Sequence, residues 1–321
     1  MTFVEDFAII FPMNPIKVAV VGVGYLGSIH ARIYRELQTC SLVGVCDTDP
    51  TRLAHVSSEL GVPGYADYRE LFDKVDAVSI TVPTRLHHTV ARDFLGRRLH
   101  TLVEKPFTAT LKEADSLIKI AECNEAILQV GHIERFNSAF SATLKLIQGP
   151  RFIECHRLSP FPHRSVDVGV VLDLMIHDID IVLGLVNSEI KRIDAIGVPV
   201  LTEFEDIANA RLTFKNGCVC NLTASRISDE LMRKIRIFLK HAYISLDYRK
   251  EEAFIYRKTP ADITKEALPI EKEEPLKKEL AAFIDCVIHK HTPLVSGRVG
   301  RQALAVALAI QKQIWKKTSI F

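Results

Sequence analysis

Hydrophobic and polar positions follow two different rhythms along this chain. Up to about residue 130, short apolar runs are separated by amphipathic stretches with helical spacing. The runs are Lys17-Val-Ala-Val-Val21, Leu42-Val-Gly-Val-Cys46, Ala77-Val-Ser-Ile-Thr-Val82, His100-Thr-Leu-Val-Glu104 and Ile127-Leu-Gln-Val-Gly131. Strands are apolar throughout when both sheet faces are covered, as in parallel sheets. The segments between them predict helices over 28–37 and 50–60, from Tyr68, around His87 and His88, and over 111–124. This alternation predicts a doubly wound parallel sheet, with ligands at the carboxyl ends of its strands.

Beyond that point period-two patterns take over. A helix near 137–147, a strand at 151–158 and a long apolar helix at 168–185 come first. Strand patterns follow at 190–198, 207–214, 218–225, 234–239, 241–246 and 252–256. Asn216-Gly217 predicts a type I′ hairpin. Residues 260–275, charged and punctuated by proline, read as an exposed excursion before two closing helices, 276–289 and 298–316. The fold class is α/β. Residues 14–130 are expected to form the parallel-sheet domain. Residues 131–321 are expected to form an α+β domain with a large, mostly antiparallel open sheet and helices on one face. The bare face is expected to join a second copy of the chain into a homo-oligomer.

The glycines sharpen the first domain. Gly22-x-Gly24-x-x-Gly27 lies directly after one apolar run and before a helix. Gly22 permits a tight turn, Gly24 a close backbone approach to pyrophosphate, and Gly27 helix–strand packing, as in a Rossmann nucleotide site. The helix start, with Tyr25 and Leu26, then presents free N–H groups to phosphate. The next strand ends in Asp47, 20 residues after Gly27. A carboxylate there accepts from a ribose diol and repels a 2′-phosphate, which favours NAD over NADP. Asp47 would otherwise cap the helix from Thr51, a task open to Asp49 as well, and Arg52 would suit a phosphate.

Composition excludes more than it suggests. The 321 residues are enough for two cores, and the formal net charge is +2. No basic stretch interleaves with aromatics, so no nucleic-acid partner is expected. Seven scattered cysteines suit a reducing cytoplasm, and Cys218-x-Cys220 has the wrong spacing for zinc. No metal site is expected. No apolar run predicts membrane insertion. Residues 1–12 lack the basic start of a signal peptide and read as a loose extension or a misassigned start.

Candidate chemistry centres on three residues. Lys105 ends a buried strand just before Pro106, at the ligand-bearing edge of the sheet. An ammonium there would polarise a hydroxyl or stabilise an oxyanion, whereas an ordinary surface lysine would do neither. Asp173 and His177 stand at i and i+4 in the long apolar helix. A carboxylate beside an imidazole raises its pKa and makes it a better base, although a structural Asp–His pair has the same spacing.

These motifs together, Gly22 to Gly27, Glu104-Lys105-Pro106 and Asp173-x-x-x-His177, resemble the Gfo/Idh/MocA oxidoreductases, from about Pro15 onward. The resemblance implies that Lys105 and His177 flank the substrate carbon at C4 of nicotinamide, with Asp173 assisting. It implies a cofactor lining of Glu104, Thr81, Pro83 and Thr84, with His87 nearby. Gly131-His-Ile-Glu-Arg-Phe-Asn137 and His156-Arg-Leu-Ser-Pro-Phe161 further resemble nucleotide-sugar members, UDP-N-acetylglucosamine 3-dehydrogenases among them, some of which serve lipid A synthesis. Arg135, Asn137, His156 and Arg157 are then candidate substrate residues. Arg135, Arg157 and Arg164 suit a diphosphate, or are plain surface or interface arginines. The expected activity is NAD-dependent oxidation of a sugar CH–OH, with C3 of a UDP-sugar as substrate position. The alternatives are another sugar, polyol or aldose, or a non-catalytic NAD(H) sensor.

Overall fold

The computed structural model describes residues 15–161, 168–260 and 262–318. Arg164 and residues 1–12, singled out above, lie outside them. Two compact units share the chain. The first takes the chain up to Val103, then Leu117–Gln129 and Leu280–Leu294. The second takes Glu104–Ser116, Val130–Glu279 and the chain from Val295 onward.

Six strands make the first sheet: β1 (Ile16–Val21), β2 (Cys40–Cys46), β3 (Gly64–Tyr65), β4 (Ala77–Ile80), β5 (His100–Glu104) and β6 (Leu128–Gly131). Their order is β3-β2-β1-β4-β5-β6. The pairs β2–β3, β1–β2, β1–β4 and β4–β5 are parallel. Helices α1 (Tyr25–Glu36), α2 (Pro50–Leu60), α3 (Thr84–Leu95) and α4 (Leu111–Cys123) alternate with the strands. Strand order reverses between β1 and β4, which is where open α/β sheets hold ligands. The apolar runs are buried as expected, Val18, Val20, Val78, Ile80 and Leu102 among them. One expected helix is missing. Tyr68 opens a single 3₁₀ turn, Tyr68–Leu71, capped by Asp67. Tyr68 and Phe72 there pack as an aromatic cluster with Phe94.

The second unit is built on eight strands: β7 (Phe152–Leu158), β8 (Ile190–Val198), β9 (Ile207–Phe214), β10 (Val219–Ser225), β11 (Met232–Phe238), β12 (Ala242–Asp247), β13 (Glu252–Lys258) and β14 (Ile263–Ala267). The order is β14-β13-β12-β11-β7-β10-β9-β8. Only β7–β10 is parallel. One face carries the core, with Ile153, Cys155, Leu212, Leu222, Ile235 and Ile244 buried. Helices α6 (Ile176–Val186) and α8 (Gly297–Thr318) share that core through Ile179, Val182, Ala303 and Ile310. A short α5 (Ser138–Thr143) precedes β7, and α7 (Pro275–His289) precedes α8.

Three local expectations change. The excursion 260–275 contains β14, an exposed edge strand. The 216–217 hairpin forms, but positive φ falls on Gly217 and not on Asn216. It is therefore a longer glycine-bulged turn rather than type I′. The long helix also opens irregularly, as a π turn over Val171–Met175.

Candidate active site

In the first unit the phosphate loop follows β1 directly. A side chain at Gly27 would stand 1.8 Å from the Gly22 carbonyl oxygen, so only glycine lets α1 approach β1 this closely. Gly22 itself takes a φ of +92°. Gly24 caps α1 with no side-chain hydrogen bond, and the exposed Tyr25 and half-buried Leu26 form the first turn. A cap of this kind leaves the first N–H groups of the helix pointing outward.

Asp47 and Asp49 divide their work. Asp49 caps α2 by accepting from Thr51 and Arg52 N–H at 3.0 Å. The Asp47 carboxylate, nearly buried, accepts from Val23 N–H at 2.8 Å, Asp49 N–H at 2.9 Å and Arg52 Nη1 at 3.3 Å. It is thereby aimed at the phosphate loop. A carboxylate has about four acceptor positions, so one remains for a ribose hydroxyl. Thr81 and Pro83 follow β4, and Thr84 begins α3. The Thr81 hydroxyl donates to the Gly22 carbonyl. His87 Nε2 lies 2.9 Å from the Val82 carbonyl and fixes the same turn. These residues fit an NAD half-site.

The candidate acid–base residues all belong to the second unit. Lys105 Nζ donates to Asp173 Oδ1 at 2.9 Å and to the Asp173 carbonyl at 2.7 Å. The π turn widens the helix here and makes such a carbonyl available to a side chain. Asp173 therefore clamps Lys105 and does not pair with His177, contrary to the i, i+4 expectation.

The consequence for His177 is the reverse of the expected one. Its Nδ1 is buried without a hydrogen-bond partner among the described residues. Burial first, then the Lys105 charge, holds its pKa well below the usual imidazole range. His177 is a neutral imidazole, which is the form that accepts a proton. His132 stands edge-on to it at 6.2 Å, fully buried and also pushed down by desolvation. Sequence reasoning passed over His132 as a chemical neighbour. Glu104 is buried against Gly131, where a side chain would meet its carboxylate at 2.6 Å.

The four candidate substrate residues do not converge. Adjacent strand residues face opposite ways. His156 therefore lies on the open face of β7 and Arg157 on the core face. Arg157 is buried, and two carboxylates match its charge: Glu134 Oε1 accepts at 2.7 Å and both Asp178 oxygens at 3.0 Å. Its charge is already spent inside the fold. Arg135 is committed to Asp180, at 2.6 and 3.1 Å to the carboxylate and 2.7 Å to the carbonyl. Asn137 caps α5 through Ala139 and Phe140 N–H and donates to the Tyr248 carbonyl at 3.1 Å. Among the described residues, Asp285, His289 and His291 come within metal-ligating distance of one another, on exposed surface at the end of α7. They belong to the first unit and to none of the groups above.

A nucleotide half-site on a reversed parallel sheet, with a lysine–carboxylate clamp and a neutral histidine in a second unit, defines a two-domain dinucleotide-dependent oxidoreductase. Comparison with known proteins narrows this class. Residues 16–132 match the model of an oxidoreductase family with an NAD-binding Rossmann fold, and residues 149–245 match the GFO/IDH/MocA C-terminal domain. The chain is 36% identical over 306 residues to a UDP-N-acetylglucosamine 3-dehydrogenase of Acidithiobacillus ferrooxidans, covering 93% of this chain and 97% of that one. A solved structure of that enzyme superposes with a TM-score of 0.90, covering 94% of this chain and 98% of that chain. A myo-inositol 2-dehydrogenase of Thermotoga maritima is 26% identical over 327 residues, covering 95% and 98%. The chain belongs to the Gfo/Idh/MocA family and is an NAD-dependent dehydrogenase.

Proposed function

We propose that this dehydrogenase oxidises the C3 hydroxyl of a UDP-linked amino sugar such as UDP-N-acetylglucosamine to the 3-keto sugar. The observation that carries the chemistry is the clamped Lys105 in one unit with the neutral, buried His177. Similarity along almost the whole chain to an enzyme named for that reaction supports the substrate.

His177 accepts the hydroxyl proton as the C–O bond gains double-bond character. Lys105, held by Asp173, stabilises the oxygen as negative charge develops on it. NAD⁺ bound at the Gly22–Gly27 loop would supply the hydride acceptor for the same carbon. Asp173 works through Lys105 as a positioning residue. Gly22 to Gly27 and Asp47 bind and orient the cofactor.

The product class suits supply of a 3-amino sugar for the cell envelope, including lipid A. No helix among the described residues is long and apolar enough to cross a membrane. All seven cysteines are free, which suits the reducing cytoplasm. The open face of the second sheet is proposed as the homo-oligomer contact.

Incubation of the protein with NAD⁺ and UDP-N-acetylglucosamine, followed at the NADH absorbance, tests the reading. A 3-keto sugar nucleotide identified by mass after borodeuteride trapping supports it. Oxidation of myo-inositol or free glucose with no turnover of any UDP-sugar would falsify the substrate assignment and leave the hydride chemistry in place.

A further inference from the structure

With Arg135 and Arg157 committed inside the fold, a diphosphate needs other partners. The second unit contains a cavity of about 470 Å³ lined by Asn137, Arg233, Tyr248, Arg249, Glu251 and Lys272, among others. Three separate parts of the chain contribute its cations: β11, the β12–β13 turn and the segment before α7.

Arg233 faces Arg157 directly across the antiparallel β11–β7 pair. Opposite like charges on one sheet face are destabilising. Arg157 is neutralised by Glu134 and Asp178, while Arg233 forms no ion pair among the described residues. The Arg249 guanidinium has none either. Desolvation, then the Arg157 charge, lowers the Arg233 pKa, and Arg249 adds to the repulsion. Arg233 keeps solvent-accessible surface and stands in the cavity lining, where a ligand could reach it.

Four glutamates also reach this cavity. Glu134 is matched by Arg157 and Glu273 by Lys278, at 2.7 Å each. Glu274 and Glu251 complete the set. Two buried oxygen atoms in the lining have no hydrogen-bond partner among the described residues, the Tyr248 hydroxyl and Glu251 Oε1. Such atoms are costly unless a ligand or water meets them. Glu251 sits at a φ of +50°, between β12 and β13, a conformation uncommon for a residue with a side chain. The cavity also adjoins the chemistry. Glu134 in its wall bonds Arg157, Arg157 bonds Asp178, and Asp178 follows His177 in α6.

We propose that this cavity is the diphosphate subsite for the sugar nucleotide, with Arg233 and Arg249 binding the phosphate oxygens and Glu251 accepting from a ligand hydroxyl or N–H. The assignment rests on the sugar-nucleotide reading above and names the residues that make it specific. Guanidinium forks suit paired phosphate oxygens, and cations left without carboxylates are free to provide them. Lys272, whose ammonium donates to the Lys250 carbonyl at 2.7 Å, adds positive charge to the same wall.

The test measures binding of UDP, inorganic pyrophosphate and uridine to the NAD⁺-loaded protein by calorimetry, alongside steady-state kinetics. Wild type should bind UDP and pyrophosphate but not uridine. Arg233→Met and Arg249→Met should each weaken UDP by about tenfold or more and raise KM for UDP-N-acetylglucosamine similarly, as loss of a charge-assisted pair would. Their kcat should change less than about threefold, because neither is placed at the reacting carbon. Arg233→Lys should restore part of the UDP affinity. A urea unfolding transition like that of wild type certifies that each variant is folded, and Arg249→Met, altering an exposed turn residue, covers the case in which the strand variant fails. If both variants bind UDP as wild type does while UDP-N-acetylglucosamine is oxidised, the subsite is wrong and the substrate reading stands. If pyrophosphate binding depends on Arg233 and Arg249 but no UDP-sugar is oxidised, the anion site stands and the substrate reading falls.

Discussion

His177 shows how far a residue's surroundings decide its role. Spacing alone pairs it with Asp173, which would raise its pKa and make it a better base. In the fold Asp173 belongs to Lys105, and His177 is neutral at ordinary pH. Lys105→Met and His177→Asn should each reduce kcat by about 100-fold or more while NAD⁺ still binds, as expected for positioned acid–base groups. Near-normal turnover in either folded variant removes that residue from the mechanism. The two buried rings also make stability depend on pH. His132 and His177 are depressed by burial, so below their ordinary value of about 6.5 the unfolded chain takes up protons that the folded chain refuses. Above that pH the rings are neutral in both states and add no pH dependence. As pH falls beneath it, stability should drop by up to about 1.4 kcal/mol per pH unit for each ring. Urea unfolding between pH 8 and pH 5 measures this, and His132→Gln should flatten the decline. An equally steep decline in that variant would point to other groups.

At the scale of elements, the proposed determinant of cofactor choice lies at the end of β2 and the start of α2. Asp47 is free of capping because Asp49 performs it, and Val23 N–H points the carboxylate toward the phosphate loop. Asp47→Ala should weaken NAD(H) and relax discrimination against NADP(H), with Arg52 then opposed by Asp49 alone. Tighter binding of NADPH than NADH by the unaltered protein contradicts this. The Rossmann framework of the candidate half-site was legible in sequence because everything it needs is local: a strand, three glycines, a helix and a carboxylate at the next strand end. The acid–base group was half legible. Lys105 is marked by its position before Pro106, but the π turn that turns Asp173 toward it leaves no trace in an i, i+4 count. Of the four candidate substrate residues Asn137 alone lines the cavity, and the others fall elsewhere for a different reason. His156 and Arg157 are neighbours in sequence and lie on opposite sides of β7. Arg233, Arg249 and Lys272 come from three segments that only the folded sheet brings together.

For the whole molecule, the second sheet leaves an uncovered face with its own order. Phe152, Phe238, Tyr243 and Tyr256 form a row across four strands, with the last pair stacked at 4.2 Å. Exposed Ile196 and Val198 extend the apolar character toward β8. This face is the one proposed above as the contact between copies of the chain. Tyr243→Asp should shift the protein toward a smaller species in sedimentation velocity and leave NAD⁺ binding intact. A wild type that sediments as a monomer at micromolar concentration refutes the contact. The division of the chain has a consequence of another kind. The first unit's last portion, Leu280–Leu294, is encoded after nearly all of the second. During synthesis the nucleotide-binding unit lacks this portion until more than four-fifths of the chain has been made. Domains usually mature in N- to C-terminal order on the ribosome. Here that order is denied to the first unit, so a truncated or stalled chain ending before Leu280 yields a dinucleotide fold missing part of its own packing.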